Sequence, residues 1–244
     1  MLQAPNANAT SADFEFRALQ EARNYRQAIV REFAPFLSGD IAEVGAGIGQ
    51  VTSLLHQVPR VKSVLAIEPQ PEFVAQHRQL CPAHEVMEGT VQQLPPGTRF
   101  DGIVTVNVLE HIEADREELR AYFDLLAPRA GTLCILVPAR PEIYAPIDKH
   151  FGHFRRYRRQ ELREKLESAG FAVVRLHYFN SAGYFAWWLT CKVLGNTSFN
   201  PGAVRLYDRA IFPVVFFLES RLLRPPIGQS LIAIAKAASP RRRD

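Results

Sequence analysis

Short apolar runs alternate along this chain with longer stretches in which apolar positions recur at helical spacing. The runs at 41–44, 61–67, 83–87, 100–106, 133–137, 171–178 and 230–237 read as seven strands. Residues 14–37, 48–57, 71–80, 114–127 and 159–169 read as helices. Pro35, Pro128 and Pro138 stand where an element must stop, because proline lacks the backbone donor that would continue it. Gly170 is placed to end the 159–169 helix in a left-handed turn. The segment from Pro138 to about 158 reads as irregular, with further prolines at 141 and 146. Strands alternating with helices predict an α/β fold, a mostly parallel seven-stranded sheet with helices on both faces. Ligands of such a sheet bind beyond the carboxyl ends of its strands.

One interval breaks the alternation. Residues 179–228 separate the last two strands, and a structureless loop of that length is uncommon inside a domain. Its Trp187, Trp188, Phe212, Phe216 and Phe217 predict a helical insertion instead. Residues 1–12 read as a disordered start, 13–238 as one domain including the insertion, and 239–244 as a basic tail.

Composition limits the classes open to the chain. At 244 residues and 47% hydrophobic, it can bury a substantial core. The net charge of +4 is largely local, in Arg155, Arg156, Arg158 and Arg159 and in Arg241–Arg243. A globally basic nucleic-acid binder is not predicted. Cys81, Cys134 and Cys191 have no metal or redox spacing, so they read as reduced thiols in a cytoplasmic protein. No secretory leader is visible, and the apolar stretches near 182–195 and 210–218 are too short or too interrupted to span a bilayer.

The chemistry concentrates at strand ends. Gly45-Ala46-Gly47-Ile48-Gly49 leaves a strand and opens a helix, where backbone N–H groups and close approach suit an anionic group. The third glycine falls one residue short of the dinucleotide fingerprint, which places Gln50 there. Glu43 is placed to meet an ammonium or to fix the loop. Glu68, at the end of the second strand, offers two oxygens to a ribose diol.

These residues resemble class I S-adenosylmethionine (SAM)-dependent methyltransferases, in particular the UbiE- and UbiG-like bacterial group. The resemblance runs from about 20 to 178 through Glu43-Val-Gly-Ala-Gly-Ile-Gly, Ala66-Ile-Glu68-Pro69, Phe100-Asp101-Gly-Ile-Val, Val108-Leu109-Glu110-His111-Ile112 and Leu126-Ala-Pro128. It implies a Rossmann-like fold, SAM as cofactor and S-adenosyl-L-homocysteine as product. It also implies adenine contacts at Gly89, Thr90 and Val91, although Thr90 replaces the Asp of many members. Asn107 and His111 are expected beside the methionyl part, and Tyr25 over the cofactor.

The acceptor is expected near Tyr144 to Tyr157, which follows the fifth strand on the ligand side. His153 or His150 is the candidate general base and Asp148 its orienting carboxylate. Arg155 and Arg156 are placed to grip an anionic group on the acceptor or to pair with Asp148. Tyr144, Tyr157 and Trp187 complete the candidate acceptor contacts, and no metal set is recognisable. A small-molecule acceptor is expected, O-methylated in preference to N or C, and either hydrophobic, secondary-metabolite-like or lipid-linked. The insertion suits an acceptor pocket, a lid, a homodimer surface or peripheral contact with the inner face of a membrane. The rival classes are a non-catalytic SAM-binding scaffold and an NAD(P)-dependent oxidoreductase.

Overall fold

Seven strands form one sheet in the order β3-β2-β1-β4-β5-β7-β6. They are β1 (Gly39–Val44), β2 (Val61–Glu68), β3 (Glu85–Glu88), β4 (Gly102–Val106), β5 (Thr132–Pro138), β6 (Phe171–Phe179) and β7 (Ser230–Ala237). The structure is a computed structural model and describes residues 21–198, 200–221 and 224–237. The proposed disordered start and basic tail lie outside these residues. β1 to β5 pair in parallel, whereas β7 runs antiparallel between β5 and β6. This is the α/β architecture the strand spacing predicts and the Rossmann-like fold the resemblance implies.

The helices, in chain order, are α1 (Arg23–Phe33), α2 (Thr52–Leu55), α3 (Pro71–Leu80), α4 (Asp115–Leu126), α5 (Pro146–His150) and α6 (Arg159–Ser168). The insertion adds α7 (Ser181–Trp187), which runs on through a π-helical stretch (Trp188–Val193). It then adds α8 (Pro201–Leu206), which passes through a second π-helical stretch (Tyr207–Ile211) into α9 (Phe212–Arg221). Side chains alternate across each strand, so the sheet feeds two cores. Ala42, Ile103, Leu133 and Ile135 meet Leu119 and Tyr122 of α4 and Leu162 and Leu166 of α6. On the other face Ile41, Val104, Cys134 and Ile234 meet Ile29 and Phe33 of α1, Leu55 and the insertion's Phe212. The insertion is thereby bolted to the sheet, and each such buried apolar side chain stabilises by about 1.5–3 kcal/mol.

Three local expectations are corrected. The helix expected over 48–57 shrinks to the single turn of α2, because Gly45, Gly47 and Gly49 all hold positive φ and delay helix entry. Within 14–37, the described helix is Arg23–Phe33 followed by a tight 3-10 turn holding Pro35, and 14–20 lies outside the described residues. β3 starts at Glu85 rather than 83, after a turn closed by the His84 N–H on the Cys81 carbonyl. Gly170 holds φ +104 as its capping place requires.

Candidate active site

β1, β2 and β4 end side by side, and their outgoing loops build a polar crevice. The Gly45 and Ala46 N–H groups donate to the Ile67 carbonyl at 2.8 and 3.1 Å, tying the glycine loop to β2. The Gly47 and Gln70 N–H groups donate to the two Glu68 oxygens at 2.8 and 2.9 Å. Each oxygen keeps a further lone pair for a hydroxyl donor. Gly45 and Gly49 are required by space as well as by φ. A Cβ on Gly45 would stand 2.2 Å from Val108 Cγ2, and one on Gly49 2.4 Å from His77 Nε2.

Glu43 sits beneath this loop, fully enclosed, and accepts the Thr52 hydroxyl. It therefore fixes the loop, one of the two roles its position suggested. Burial, reinforced by Glu68, pushes its carboxyl up to about 8. Burial also raises Glu68. The Gly89 N–H donates to the Glu68 carbonyl at 3.0 Å, which brings the third strand's exit to the same crevice. Thr90 is exposed, and its N–H donates to Gln93 Oε1 at 2.7 Å. Val91 is buried in the core, so only its backbone stands near that edge. Pro69 is exposed just after Glu68. A glycine cradle that excludes side chains, with an acid two lone pairs short of saturation at the next strand end, fits SAM.

Asn107 turns the chain out of β4 with φ +53 and links this crevice to a second space. That space is a cavity of ≈ 440 Å³ lined by Tyr25, Asn107, His153, Arg156, Trp187 and Tyr207, among others. Its His153 and Arg156 are organised from behind by Asp148, which is wholly buried. Asp148 accepts from the Ala145 N–H at 2.9 Å, His153 Nδ1 at 3.0 Å and Arg156 Nε at 2.8 Å. Burial alone would raise its pKa, but the His153 hydrogen bond and the Arg156 charge hold it below the usual carboxylate range. An ionised Asp148 makes His153 Nδ1 the donor. His153 Nε2 then faces Glu110 Oε1 across 4.0 Å, and the His111 ring lies edge-on at 4.7 Å. Arg156 stacks 4.3 Å over the Trp187 ring, whose Nε1 donates to the Ile143 carbonyl.

Tyr25 lines the cavity rather than the glycine loop. Its hydroxyl pairs with Ser230 Oγ at 3.0 Å, and burial pushes it up to about 12. Asp208 of the insertion holds this wall in place by accepting the Asn24 and Tyr25 N–H groups at 3.0 and 2.9 Å.

Other predicted acceptor residues are not in the cavity. His150 is exposed at the end of α5. Arg155 binds Asp115 at 2.7 Å and the Glu113 carbonyl at 2.8 Å. Tyr157 is fully buried and donates to the same Asp115 at 2.9 Å. Tyr144 donates to the His153 carbonyl at 2.8 Å, so it positions the loop. Asp115, at the start of α4, collects Arg155, Tyr157 and Lys165 and draws the cluster away from the pocket. Sequence reasoning missed Glu110 as a cavity residue, although it sits in the quoted Leu109-Glu110-His111 motif. It also missed Tyr207, Asp208 and Ser230, which carry no local signal.

With this geometry in place, comparison with known proteins assigns the class. A family described as a methyltransferase domain matches residues 16–176, about two thirds of the chain. The chain belongs to that family and is a class I SAM-dependent methyltransferase. The match reaches the family and not the UbiE- and UbiG-like subgroup. Solved structures share the fold. One is a chain of the complex between the Haloferax volcanii Trm112 methyltransferase activator and a methyltransferase. It is 16% identical, has a TM-score of 0.63, and covers 93% of this chain and 95% of its own. A SAM-dependent methyltransferase from Archaeoglobus fulgidus is 18% identical with TM-score 0.59, covering 92% and 100%. A methyltransferase from Bacillus halodurans is also 18% identical with TM-score 0.59, covering 87% and 99%. No curated protein matches the chain in sequence. The oxidoreductase alternative is set aside.

Proposed function

We propose that this enzyme methylates an oxygen of a hydrophobic or lipid-linked small molecule held in the 440 Å³ cavity. The observation that carries this is the cavity's largely apolar wall together with the Asp148–His153 pair, which puts an oriented imidazole on the lining that Asn107 shares. SAM supplies a sulfonium methyl: the acceptor oxygen's lone pair forms the new C–O bond as the C–S pair stays with sulfur. The chain's part is to align that oxygen and exclude water. His153 draws the proton off the acceptor hydroxyl, and Asp148 is the positioning residue that holds its ring. Arg156 is committed to Asp148 and Trp187, so it closes the wall behind His153 and does not grip an anionic acceptor.

The test is transfer of radiolabelled methyl from SAM into cell extract, split between organic and aqueous phases. Label in the organic phase is expected, lost in His153→Ala with SAM affinity intact. Label confined to the aqueous phase, or full turnover in His153→Ala, sinks the proposal.

A second observation bears on where the acceptor is met. Of thirteen exposed large apolar side chains among the described residues, ten lie between 185 and 218. They include Phe185, Trp188, Leu194, Leu206 (66% exposed) and Phe217, with exposed Lys192, Arg209 and Arg221 on the same insertion. An apolar face rimmed by cations suits an anionic bilayer surface. No described helix is long and apolar enough to cross a membrane, so the contact would be peripheral. The protein should float with vesicles containing phosphatidylglycerol and not with pure phosphatidylcholine, and Trp188→Ser with Phe217→Ser should abolish flotation. Concentration-dependent dimerisation without flotation would assign the face to a second copy instead.

A further inference from the structure

Among the described residues, one set of His and acid side chains converges closely enough to share an ion. Glu110, His111 and His153 each bring a ligand atom within 4.8 Å of the others. Glu110 and His153 are buried and line the acceptor cavity together with Asn107. His153 lies far from the Glu110–His111 pair in sequence, so no spacing rule could have found the set.

We propose that Glu110, His111 and His153 hold a divalent first-row cation whose open positions face the cavity and take the acceptor oxygen. The proposal rests on the methyl-transfer reading and changes the part His153 plays: with Nδ1–H on Asp148 and Nε2 on the cation, His153 holds the ion, and the ion lowers the acceptor hydroxyl's hold on its proton. Ligand atoms sit about 2.0–2.2 Å from such an ion, so neighbours at tetrahedral angles lie about 3.3–3.6 Å apart. His153 Nε2 and Glu110 Oε1 stand 4.0 Å apart, within about half an ångström of that. A pair at the widest separation, 4.8 Å, closes by about 1.2 Å of side-chain movement shared between the two residues.

A second feature points the same way. A metal-bound imidazole nearly always donates its other N–H to a carboxylate, which fixes its tautomer and aim. Asp148 does this for His153 at 3.0 Å, and Arg156 and the Ala145 N–H hold Asp148 in turn. Two imidazoles and one carboxylate suit manganese, iron or zinc better than magnesium or calcium. The chemical step balances without a redox change. The acceptor oxygen coordinates the cation, its O–H bond breaks with the electron pair left on oxygen, and the proton passes to water. That oxygen pair then forms the C–O bond as the methyl's former C–S pair leaves with sulfur.

The test uses the full chain after chelator treatment, titrated with Mn2+ while electron paramagnetic resonance follows the free hydrated ion. SAM affinity is measured on the same samples. The expected result is one Mn2+ per chain, with affinity weakened about tenfold or more in Glu110→Gln and His153→Ala and about 10–100-fold in Asp148→Asn. SAM affinity should stay at the wild-type value in all three. A variant that loses SAM together with its cooperative thermal transition is misfolded, and the remaining variants decide. Wild-type protein that binds SAM but takes up neither Mn2+ nor Zn2+ overturns the cation site and leaves His153 acting alone. Wild-type protein that fails to bind SAM overturns the methyl-transfer reading itself.

Discussion

The two halves of the site are built by opposite means. The cofactor crevice is made of backbone: N–H groups of Gly45, Ala46, Gly47, Gln70 and Gly89 tie three strand ends together around Glu68. The cavity proposed for the acceptor is made of side chains, and much of its wall comes from the insertion between β6 and β7. Backbone geometry is indifferent to most substitutions and intolerant of a few. Side-chain walls can be changed one residue at a time. A fold that always uses the same methyl donor can therefore keep one half fixed and vary the other, which is how one architecture serves many acceptors.

The sharpest way to break this contrast is at the glycine loop. Gly45→Ala puts a Cβ 2.2 Å from Val108 Cγ2 at φ +72. Strain at such a position costs about 1–3 kcal/mol before the clash is counted. SAM affinity by titration calorimetry should fall about 100-fold, with the circular dichroism spectrum kept. Wild-type affinity would show that the loop is not the cradle.

Next in size is Asp148→Ala, aimed at the His153 and Arg156 wall of the cavity. It leaves the buried Arg156 guanidinium without its carboxylate, and such a broken pair destabilises by about 3–5 kcal/mol. Thermal unfolding should report that loss. If the folded fraction still binds SAM normally while methyl transfer vanishes, the two halves are separable as claimed. Loss of SAM binding in the folded protein would show that they are one unit.

The same contrast explains what the sequence disclosed. The crevice was legible because each part is local: a strand, a glycine turn, an acid at the next strand's end. The single misjudged element there, the helix over 48–57, failed because three positive-φ glycines postpone helical geometry. The Asp148–His153 pair was also legible, since both fall in one short segment. So was one way for Arg156 to join them, by pairing with Asp148, but the fates of the other candidates were not. Arg155 and Tyr157 are claimed by Asp115, Tyr25 by Asp208, and Trp187 by Arg156 and Ile143. Each of those choices is made by a residue remote in sequence, after the sheet has brought it near.

A milder probe of the variable half is Trp187→Ala. It opens the cavity wall and removes the face on which Arg156 stacks, leaving the crevice untouched. Methyl transfer into organic extract at limiting acceptor should fall about tenfold, consistent with roughly 1–2 kcal/mol for a desolvated stacked cation and its packing. SAM affinity should not move. An unchanged rate would mean that Trp187 supports the fold and not the acceptor.

The last probe leaves methyl transfer aside and tests the fixed half from beneath. Glu43 carries a carboxyl raised from its ordinary 4.5 to about 8 by burial and by Glu68. A carboxyl raised on folding favours the native state fully below about pH 4.5, and that contribution is lost as pH rises through about 8. Glu43→Gln keeps an acceptor for the Thr52 hydroxyl and carries no charge at any pH. The variant and the wild type should therefore melt together near pH 5 and separate as pH rises through about 8, the variant melting higher at pH 9. Each kcal/mol is worth about 2–4 °C in a chain of this size. Parallel melting curves from pH 5 to 9 would mean that Glu43 ionises in place at no cost, and that the loop is held by its backbone alone.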